Sequence, residues 1–159
     1  CTCKASAVNT LAALCADTHV QSRWHALPDQ PSARLAHHID TPDLPERIKT
    51  VEMLGQLCKS EEAAKTMVQV PNLLERIINA MEDACKMPER GSQHKLLSAA
   101  CGFLHRLSQF DFGRGHITAW SVLPRIDPNM RKVRGLLSQQ RETEDLWRLY
   151  DEFVFNMSQ

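Results

Sequence analysis

The sequence predicts an all-α fold made of repeated helical units, and three observations lead to this prediction. Apolar side chains recur three or four positions apart in residues 73–81, 96–107 and 146–154, the spacing that places them on one face of a helix. Alternating apolar and polar residues, the pattern of a half-buried strand, do not extend over any comparable window. One apolar pattern also returns along the chain at a constant spacing, which is typical of repeat proteins.

The composition is that of one folded unit. The chain has 159 residues, of which 43% are hydrophobic and 24% are charged, so it can bury a core without disulfides or metal. Its 19 basic residues balance 19 acidic residues. Proteins that bind nucleic acids or anionic membranes normally carry a basic surplus, so this balance argues against both kinds of partner.

The sequence shows neither a membrane span nor a secretion signal. No uncharged apolar run reaches the ~18–20 residues that cross a bilayer, and no signal peptide is recognisable. The chain starts at Cys1 rather than at methionine, so we expect it to be part of a longer chain or a larger assembly. Cys15, Cys58 and Cys101 occupy apolar helical stretches, where free cysteine behaves as a small buried hydrophobe. This favours a reducing, intracellular compartment: the cytoplasm, with the nucleus as the alternative.

The helical stretches are separated by residues that start or end helices. Proline is tolerated in the first turn of a helix but not in its interior, because its nitrogen cannot donate and its ring meets the preceding turn. Closely spaced glycines also favour loops. We therefore expect breaks at residues 28–31, 40–45, 88–92, 113–115 and 127–128.

The first helical stretch returns in the middle of the chain. Valine, leucine, leucine and cysteine stand at positions 8, 11, 14 and 15, and the same residue types stand at positions 51, 54, 57 and 58. The distance from position 8 to position 51 is 43 residues, within the ~40–47-residue period of helical solenoids. A third copy begins with Leu104 and Leu107, which repeat the spacing of Leu54 and Leu57. We expect Leu54 in the core.

A second part of the pattern is a large apolar residue that stands four positions before a proline. Trp24, Met67 and Trp120 are these residues, and we expect them to pack at equivalent positions in the first helix of each repeat. The interval from the first core leucine to the proline is 17 residues in the second copy (54 to 71) and 20 residues in the third (104 to 124). We place the extra residues in a loop at 109–115, where two glycines stand.

These helices resemble the armadillo repeat, with the HEAT repeat as its near neighbour. Residues 61–70 resemble the short first helix, residues 71–78 the second helix led by proline, and residues 46–58, with a Leu-Gly-Gln-Leu core, the long third helix. The resemblance extends over about residues 4–138, although the glycine that usually precedes the proline turn is missing from all three copies. It implies a right-handed helical solenoid of about three repeats, whose successive third helices form a concave surface.

The predicted array covers residues 1–138 and begins within a repeat. Its first helix corresponds to a third helix with nothing before it, which leaves an apolar edge that upstream sequence or a partner should cover. A last apolar helix, whose acidic start suits the positive helix N-terminus, is expected to cap the other end. The expected units are a truncated repeat at 4–15, repeats at about 17–58, 60–108 and 110–138, and the capping helix at 141–157.

The resemblance also indicates where a ligand would bind. In armadillo proteins the ligand lies along the third helices, at positions two before and two after the first core leucine. Asn9, Glu52, Gln56 and Arg106 occupy such positions and are the predicted partner-binding residues. The tryptophan–asparagine ladder of importin-α-like arrays and the uniformly basic groove of catenin-like arrays are both missing. We therefore expect a groove of mixed charge that hydrogen-bonds an extended peptide.

No sequence pattern of a catalytic or metal site stands out. The chain has no glycine-rich phosphate loop, nucleophile elbow or His-Glu-x-x-His motif. Cys1 and Cys3 form an isolated pair with no second pair at zinc-site spacing, and the adjacent His37 and His38 would point about 100° apart on a helix. We predict that the protein is not an enzyme and uses no metal or cofactor.

The predicted function is a non-catalytic interaction or scaffold domain that binds a protein or peptide through its helical groove. One alternative is a structural subunit of a large complex that packs through the exposed repeat edge. Another is an RNA-binding helical repeat, for which Gln56 and Arg106 would be suitable. Ala13 interrupts that ladder, and the net charge of zero supplies no general attraction to RNA.

Overall fold

A computed structural model of the protein describes residues 2–24, 26–27, 31–137 and 141–159. Within these ranges the chain is helical, with no strand, so the all-α prediction is confirmed. Two short 3₁₀ turns lie at His37–Asp40 and Arg141–Thr143. The α-helices are α1 (Thr2–Ala16), α2 (Thr18–Trp24), α3 (Pro31–Ala36), α4 (Leu44–Leu57), α5 (Glu61–Val68), α6 (Leu73–Lys86), α7 (Arg90–Ser108), α8 (Asp111–Ala119), α9 (Val122–Leu137) and α10 (Glu144–Met157).

Side chains that accept hydrogen bonds from free backbone N–H groups define the starts of three helices. Asp43 accepts from the N–H of Glu46 at α4, at 3.0 Å. Ser60 accepts from the N–H of Ala63 at α5, at 3.1 Å. Glu89 accepts from two backbone N–H groups at the start of α7. Each cap satisfies donors that have no partner within the helix, which fixes where the helix begins.

Most of the helices contact the helix three positions later in the chain. α1 packs against α4, α4 against α7, and α7 against α10, which makes one row of four helices. α2 contacts α5 and α5 contacts α8. The 3₁₀ turn after α3 contacts α6, and α6 packs against α9. The helices therefore form three rows, and the hydrophobic core lies between them.

The centre of the core is where α4 meets α7. Leu54 and Leu104 are completely buried there, which confirms the core position expected for Leu54. Cys15, Cys58 and Cys101 are also buried and free, as predicted for cysteines acting as small hydrophobes. Because burial removes water from the thiolate, it raises the pKa of Cys58 to about 12.

The turn before α6 and the turn before α9 contain a residue in the same left-handed backbone conformation. Asn72, just before α6, has φ 58°, and Ser121, just before α9, has φ 52°. Asparagine tolerates this left-handed conformation better than most side chains, whereas serine adopts it at a cost. Neither position carries glycine, so the sequence alone does not indicate that these two turns share a conformation.

The predicted position of Trp120 is wrong. Met67 is 1% exposed within α5, as expected, and Trp24 packs partly buried against the core. Trp120, however, follows the last residue of α8 and is 39% exposed. Ile117 is the buried residue of α8 that stands where Met67 stands in α5, seven residues into its helix. The prediction chose Trp120 because it stands four residues before Pro124. The residue that occupies the position of Met67 is instead Ile117, three residues earlier.

The loop predicted at the two glycines is also wrong, because α8 runs through Gly113 and Gly115. A β-carbon on Gly113 would lie 1.9 Å from the carbonyl oxygen of Leu107. Gly113 therefore lets the start of α8 approach the end of α7 at a distance that no other residue allows. Here glycine serves close packing of two helices and not chain reversal.

The break predicted at residues 127–128 is wrong as well, since α9 continues through Pro128. An internal proline costs a helix about 3 kcal/mol. Burying one large aliphatic side chain contributes roughly 1.5–3 kcal/mol, so the apolar stripe of α9 outweighs that cost. The buried residues of this stripe are Val122, Ile126, Met130, Val133 and Leu137.

Among the described helices, none combines the length and apolar character needed to cross a membrane. Most of the expected break at residues 28–31 lies outside the described ranges, and so does Cys1.

Candidate functional site: the groove across α1, α4, α7 and α10

The outer surface of the row formed by α1, α4, α7 and α10 carries two adjoining grooves. The first groove lies between α1 and α4 and reaches the start of α7, with a volume of about 720 Å³. Asn9 of α1, Lys49 and Glu52 of α4, and Lys95 of α7 are among its lining residues. It is large enough for several residues of an extended chain.

The second groove lies between α4 and α7 and ends at Leu149 of α10. Gln56 and Arg106 line it, and Glu52 and Lys95 line both grooves. The two grooves are therefore continuous across the row. All four residues predicted to bind a partner lie along this surface, which we call the row groove.

The helical period explains why these side chains face outward. Glu52 and Gln56 are four residues apart on α4 and so share one face. Val51 and Leu54, which lie on other faces of α4, are buried in the core. The same apolar pattern that holds α4 between its neighbours therefore presents Glu52 and Gln56 to the row groove.

Arg106 has a structural bond as well as a place in the groove wall. Its guanidinium donates a hydrogen bond to the carbonyl oxygen of Gly55 on α4. Burial lowers the pKa of Arg106, because the charged guanidinium loses part of its hydration. Arg106 thus joins α7 to α4 and forms the floor of the second groove, while Glu52 is more freely exposed.

A buried carboxylate that sequence reasoning did not single out stands at the bottom of the first groove. Glu46 of α4 is 6% exposed, and its two oxygens lie 2.6 Å from Lys4 Nζ and 2.8 Å from His38 Nδ1. The hydrogen bond from Lys4 is the main reason that the pKa of Glu46 is lowered, and His38 adds to it. The ion pair fastens α1 to α4 and so shapes the groove. Its only sequence signal is a glutamate in the capped first turn of α4.

The remaining polar groups of the row groove offer both donors and acceptors. Glu52 lies 3.5 Å from Lys49, a pair in which both side chains are nearly half exposed. Ion pairs of this kind contribute little to stability, so both groups can exchange partners. Lys95 has no ion-pair partner within the described ranges. The hydroxyl of Ser98, in the second groove, is buried and has no hydrogen-bond partner among the described residues.

Metal-ligating side chains are not brought together in the described part of the chain. Within residues 2–24, 26–27, 31–137 and 141–159, no three of histidine, cysteine, aspartate or glutamate converge in a metal-binding geometry. His38 is engaged by Glu46, and His105 lies 3.0 Å from Glu152.

Comparison with known proteins gives no significant match to any family model, to any curated protein or to any solved structure. The interpretation of this chain therefore rests on its own residues and on how its helices pack.

Proposed function

We propose that this protein is a non-catalytic interaction domain, an armadillo-like right-handed solenoid of about three repeats that binds an extended segment of a partner protein along the row groove. The observation that carries the proposal is the position of the predicted residues. Asn9, Glu52, Gln56 and Arg106 come from three different helices, and they line one continuous surface.

The arrangement of helices supports the repeat interpretation. In an armadillo-like array the first, second and third helices of successive units stack on their counterparts, so each helix contacts the one three elements later. α4 lies between α1 and α7, and α7 lies between α4 and α10. By this assignment α10 is the third helix of the last unit, and it serves as the cap of the array.

The outward surface of α10 supports its assignment as a cap. Its exposed residues are charged apart from Phe155, which is 65% exposed near the end of the helix; the charged ones are Glu144, Asp145, Arg148 and Asp151. A terminal repeat with a polar outer face ends a solenoid without leaving apolar surface to recruit further units.

The chemistry of the row groove suits a peptide backbone better than a highly charged ligand. A carboxylate at Glu52, an ammonium at Lys95 and an amide at Gln56 can pair with backbone N–H and C=O groups. The acids and bases of the groove are mixed, so neither a polyanion nor a polycation is strongly attracted. The occupant is an extended protein segment of low net charge.

The test uses two charge reversals that are matched in their surroundings. Glu52 lies in the groove and pairs with Lys49, whereas Glu61 lies at the start of α5 and pairs with Lys65. Partners captured from cell extract by the immobilised chain are identified by mass spectrometry, and the affinity of the purified partner is then measured by calorimetry. We expect Glu52→Arg to weaken binding at least tenfold, about 1.4 kcal/mol, and Glu61→Arg to leave it unchanged.

A partner that binds both variants and the wild type equally well would show that the row groove is not the binding surface. The RNA alternative is examined with the same proteins on a heparin column. Retention that disappears steeply with salt and is reduced by Lys95→Glu would favour RNA over a peptide.

A further inference from the structure

The first groove has an apolar section where α1 meets the start of α4. This section, which we call the anchor pocket, is lined by Val8 of α1 and by Leu44, Pro45 and Ile48 of α4. Val8 and Leu44 are half-buried against the core, Ile48 is 8% exposed, and Pro45 is exposed. The exposed parts of these side chains form a small apolar surface among polar neighbours. Covering that surface with one apolar side chain is favourable, because it removes apolar area from water.

The capped start of α4 holds the anchor pocket in place. Asp43 accepts a hydrogen bond from the backbone N–H of Glu46 at 3.0 Å, and Pro45 occupies the first turn. Glu46 in turn lies 2.6 Å from Nζ of Lys4 on α1. Both walls of the pocket are therefore fixed before a ligand arrives, so binding does not have to order them.

Most of the charged groups around the anchor pocket already have partners. Glu46 is 6% exposed and is paired with Lys4 and His38. Lys49 and Glu52 pair with each other at 3.5 Å. Because these charges are neutralised within the groove, they give it no preference for an acidic or a basic ligand.

Lys95 of α7 differs from these groups. It is exposed, it lines both grooves, and it has no ion-pair partner in the described part of the chain. Its ammonium offers three N–H donors and no acceptor, so a carboxylate is its strongest partner. Arg106, in the second groove, donates to the carbonyl oxygen of Gly55 and also has no carboxylate partner among the described residues. The unpaired charge where the two grooves meet is therefore positive.

We propose that the occupant of the row groove is a protein segment with a large apolar side chain in the anchor pocket and an acidic residue against Lys95. The inference rests on the proposed function, which it narrows from any extended segment to this class. The anchor pocket lies beside α4, and Lys95 belongs to α7, the next helix of the row. Packed helices are about 8–10 Å apart, and an extended chain advances ~3.3 Å per residue with alternate side chains on one face. The acidic residue therefore stands about two to four positions from the apolar one.

The same charges argue against a segment with a basic residue at this place. A basic side chain would face Lys95 and Arg106, and like charges in a shared groove repel each other. The nearby carboxylates of Glu46 and Glu52 are already in ion pairs, so they would have to give up a partner to accept it. A single acidic residue also keeps the net charge of the segment low.

Selection from a random library tests the class of segment. Phage that display random dodecapeptides are panned on the immobilised full chain, and the enriched sequences are compared. We expect a large aliphatic or aromatic residue with aspartate or glutamate two to four positions away. A fluorescein-labelled peptide of the enriched sequence is then the probe in anisotropy titrations. Alanine at either position of the probe should raise its dissociation constant at least tenfold.

An exchange of charge tests the pairing with Lys95. Lys95→Glu should bind the acidic probe at least tenfold more weakly, and should bind a second probe, with lysine in place of the acid, better than the wild type does. Lys132→Glu is the matched control, because Lys132 is another exposed lysine without an ion pair among the described residues but lies on α9, outside the row groove. It should bind both probes as the wild type does. Equal binding of the acidic probe by Lys95→Glu and the wild type would overturn the inference.

Photo-cross-linking locates the apolar residue of the probe. A probe with benzoylphenylalanine at the apolar position is irradiated with the full chain, and tryptic fragments identify the labelled segment. We expect label in fragments that contain Leu44, Pro45 or Ile48. Label there from sequences that show no acidic preference would refute the inference and leave the proposed function standing. Label elsewhere, or a library that enriches no sequence, would contradict both.

Discussion

Gly113 shows how one residue decides where two helices meet. The carbonyl oxygen of Leu107 occupies the position that a side chain on Gly113 would need, whereas no atom lies within 4 Å of a β-carbon placed on Gly115. Both glycines stand inside α8, where alanine has the better intrinsic helix propensity. Substitution at Gly113 therefore tests the close contact with α7, whereas substitution at Gly115 tests helix propensity alone.

We expect Gly113→Ala to lower the free energy of unfolding by about 1–3 kcal/mol, the usual cost of forcing an extra methyl group into a packed site. Gly115→Ala should instead raise it by up to about 1 kcal/mol, because the helix gains propensity without a clash. Urea denaturation followed by circular dichroism measures both changes. Equal effects of the two substitutions would contradict the close approach of α7 and α8.

At the scale of the helix, leucines that stand at matching positions of the 43-residue sequence pattern have different surroundings in α1 and α4. Leu57 of α4 is buried between neighbours, whereas Leu14 of α1 is half exposed. Periodicity assigns both leucines to an apolar face, yet it does not say whether another helix lies against that face. Burial of the leucine depends on whether a helix packs on each side: α4 lies between α1 and α7, whereas α1 packs against α4 on one side.

Leu57→Ala is expected to destabilise the monomer by about 2–5 kcal/mol, because it removes core contacts and leaves a cavity. Leu14→Ala should cost less than about 1 kcal/mol, as is usual for substitutions on the surface. The two variants are compared by thermal unfolding followed by far-ultraviolet circular dichroism. A similar loss in both would mean that Leu14 is packed against residues of its own chain.

At the scale of the whole molecule, α1 is held against α4 by a buried carboxylate in addition to the apolar packing of Val8 and Leu11. Lys4 and His38 both bond to Glu46, and the pKa of Glu46 is lowered, chiefly by Lys4. An unfolded glutamate titrates at about pH 4.3. Below that pH the unfolded chain binds the proton more readily than the folded one, so the contribution of Glu46 to stability is lost as pH falls through its folded-state pKa.

We therefore expect Glu46→Gln to lower stability at pH 7 and to flatten the loss of stability between about pH 5 and pH 3. Urea midpoints measured across this range, with far-ultraviolet circular dichroism, give the comparison. Glu52→Gln, which alters only the exposed pair with Lys49, should keep the acid profile of the wild type. If Glu46→Gln kept that profile too, the ion pair with Lys4 would not fasten α1 in solution.

Local sequence patterns were sufficient to predict a helix wherever its position depends only on an apolar face. The apolar stripes predicted helices, and the spacing of 43 residues correctly placed Leu54 and Met67 in the core. The predictions failed at Gly113 and Pro128, where proline and glycine rules were applied without knowledge of the contacts that override them. The prediction for Trp120 failed because α8 was aligned with α5 by the distance to a proline. The turn at Ser121, not Pro124, marks where α8 gives way to α9.

The sequence by itself determined the helical class of this protein and the residues that form its core, because periodic burial is written into each helix separately. It also identified Asn9, Glu52, Gln56 and Arg106 as candidates for one surface. Only the tertiary structure decided that these residues line a continuous groove and that Arg106 bonds to the neighbouring helix. Those features depend on which helix lies beside which, and that is a property of long-range packing that no single stretch of sequence encodes.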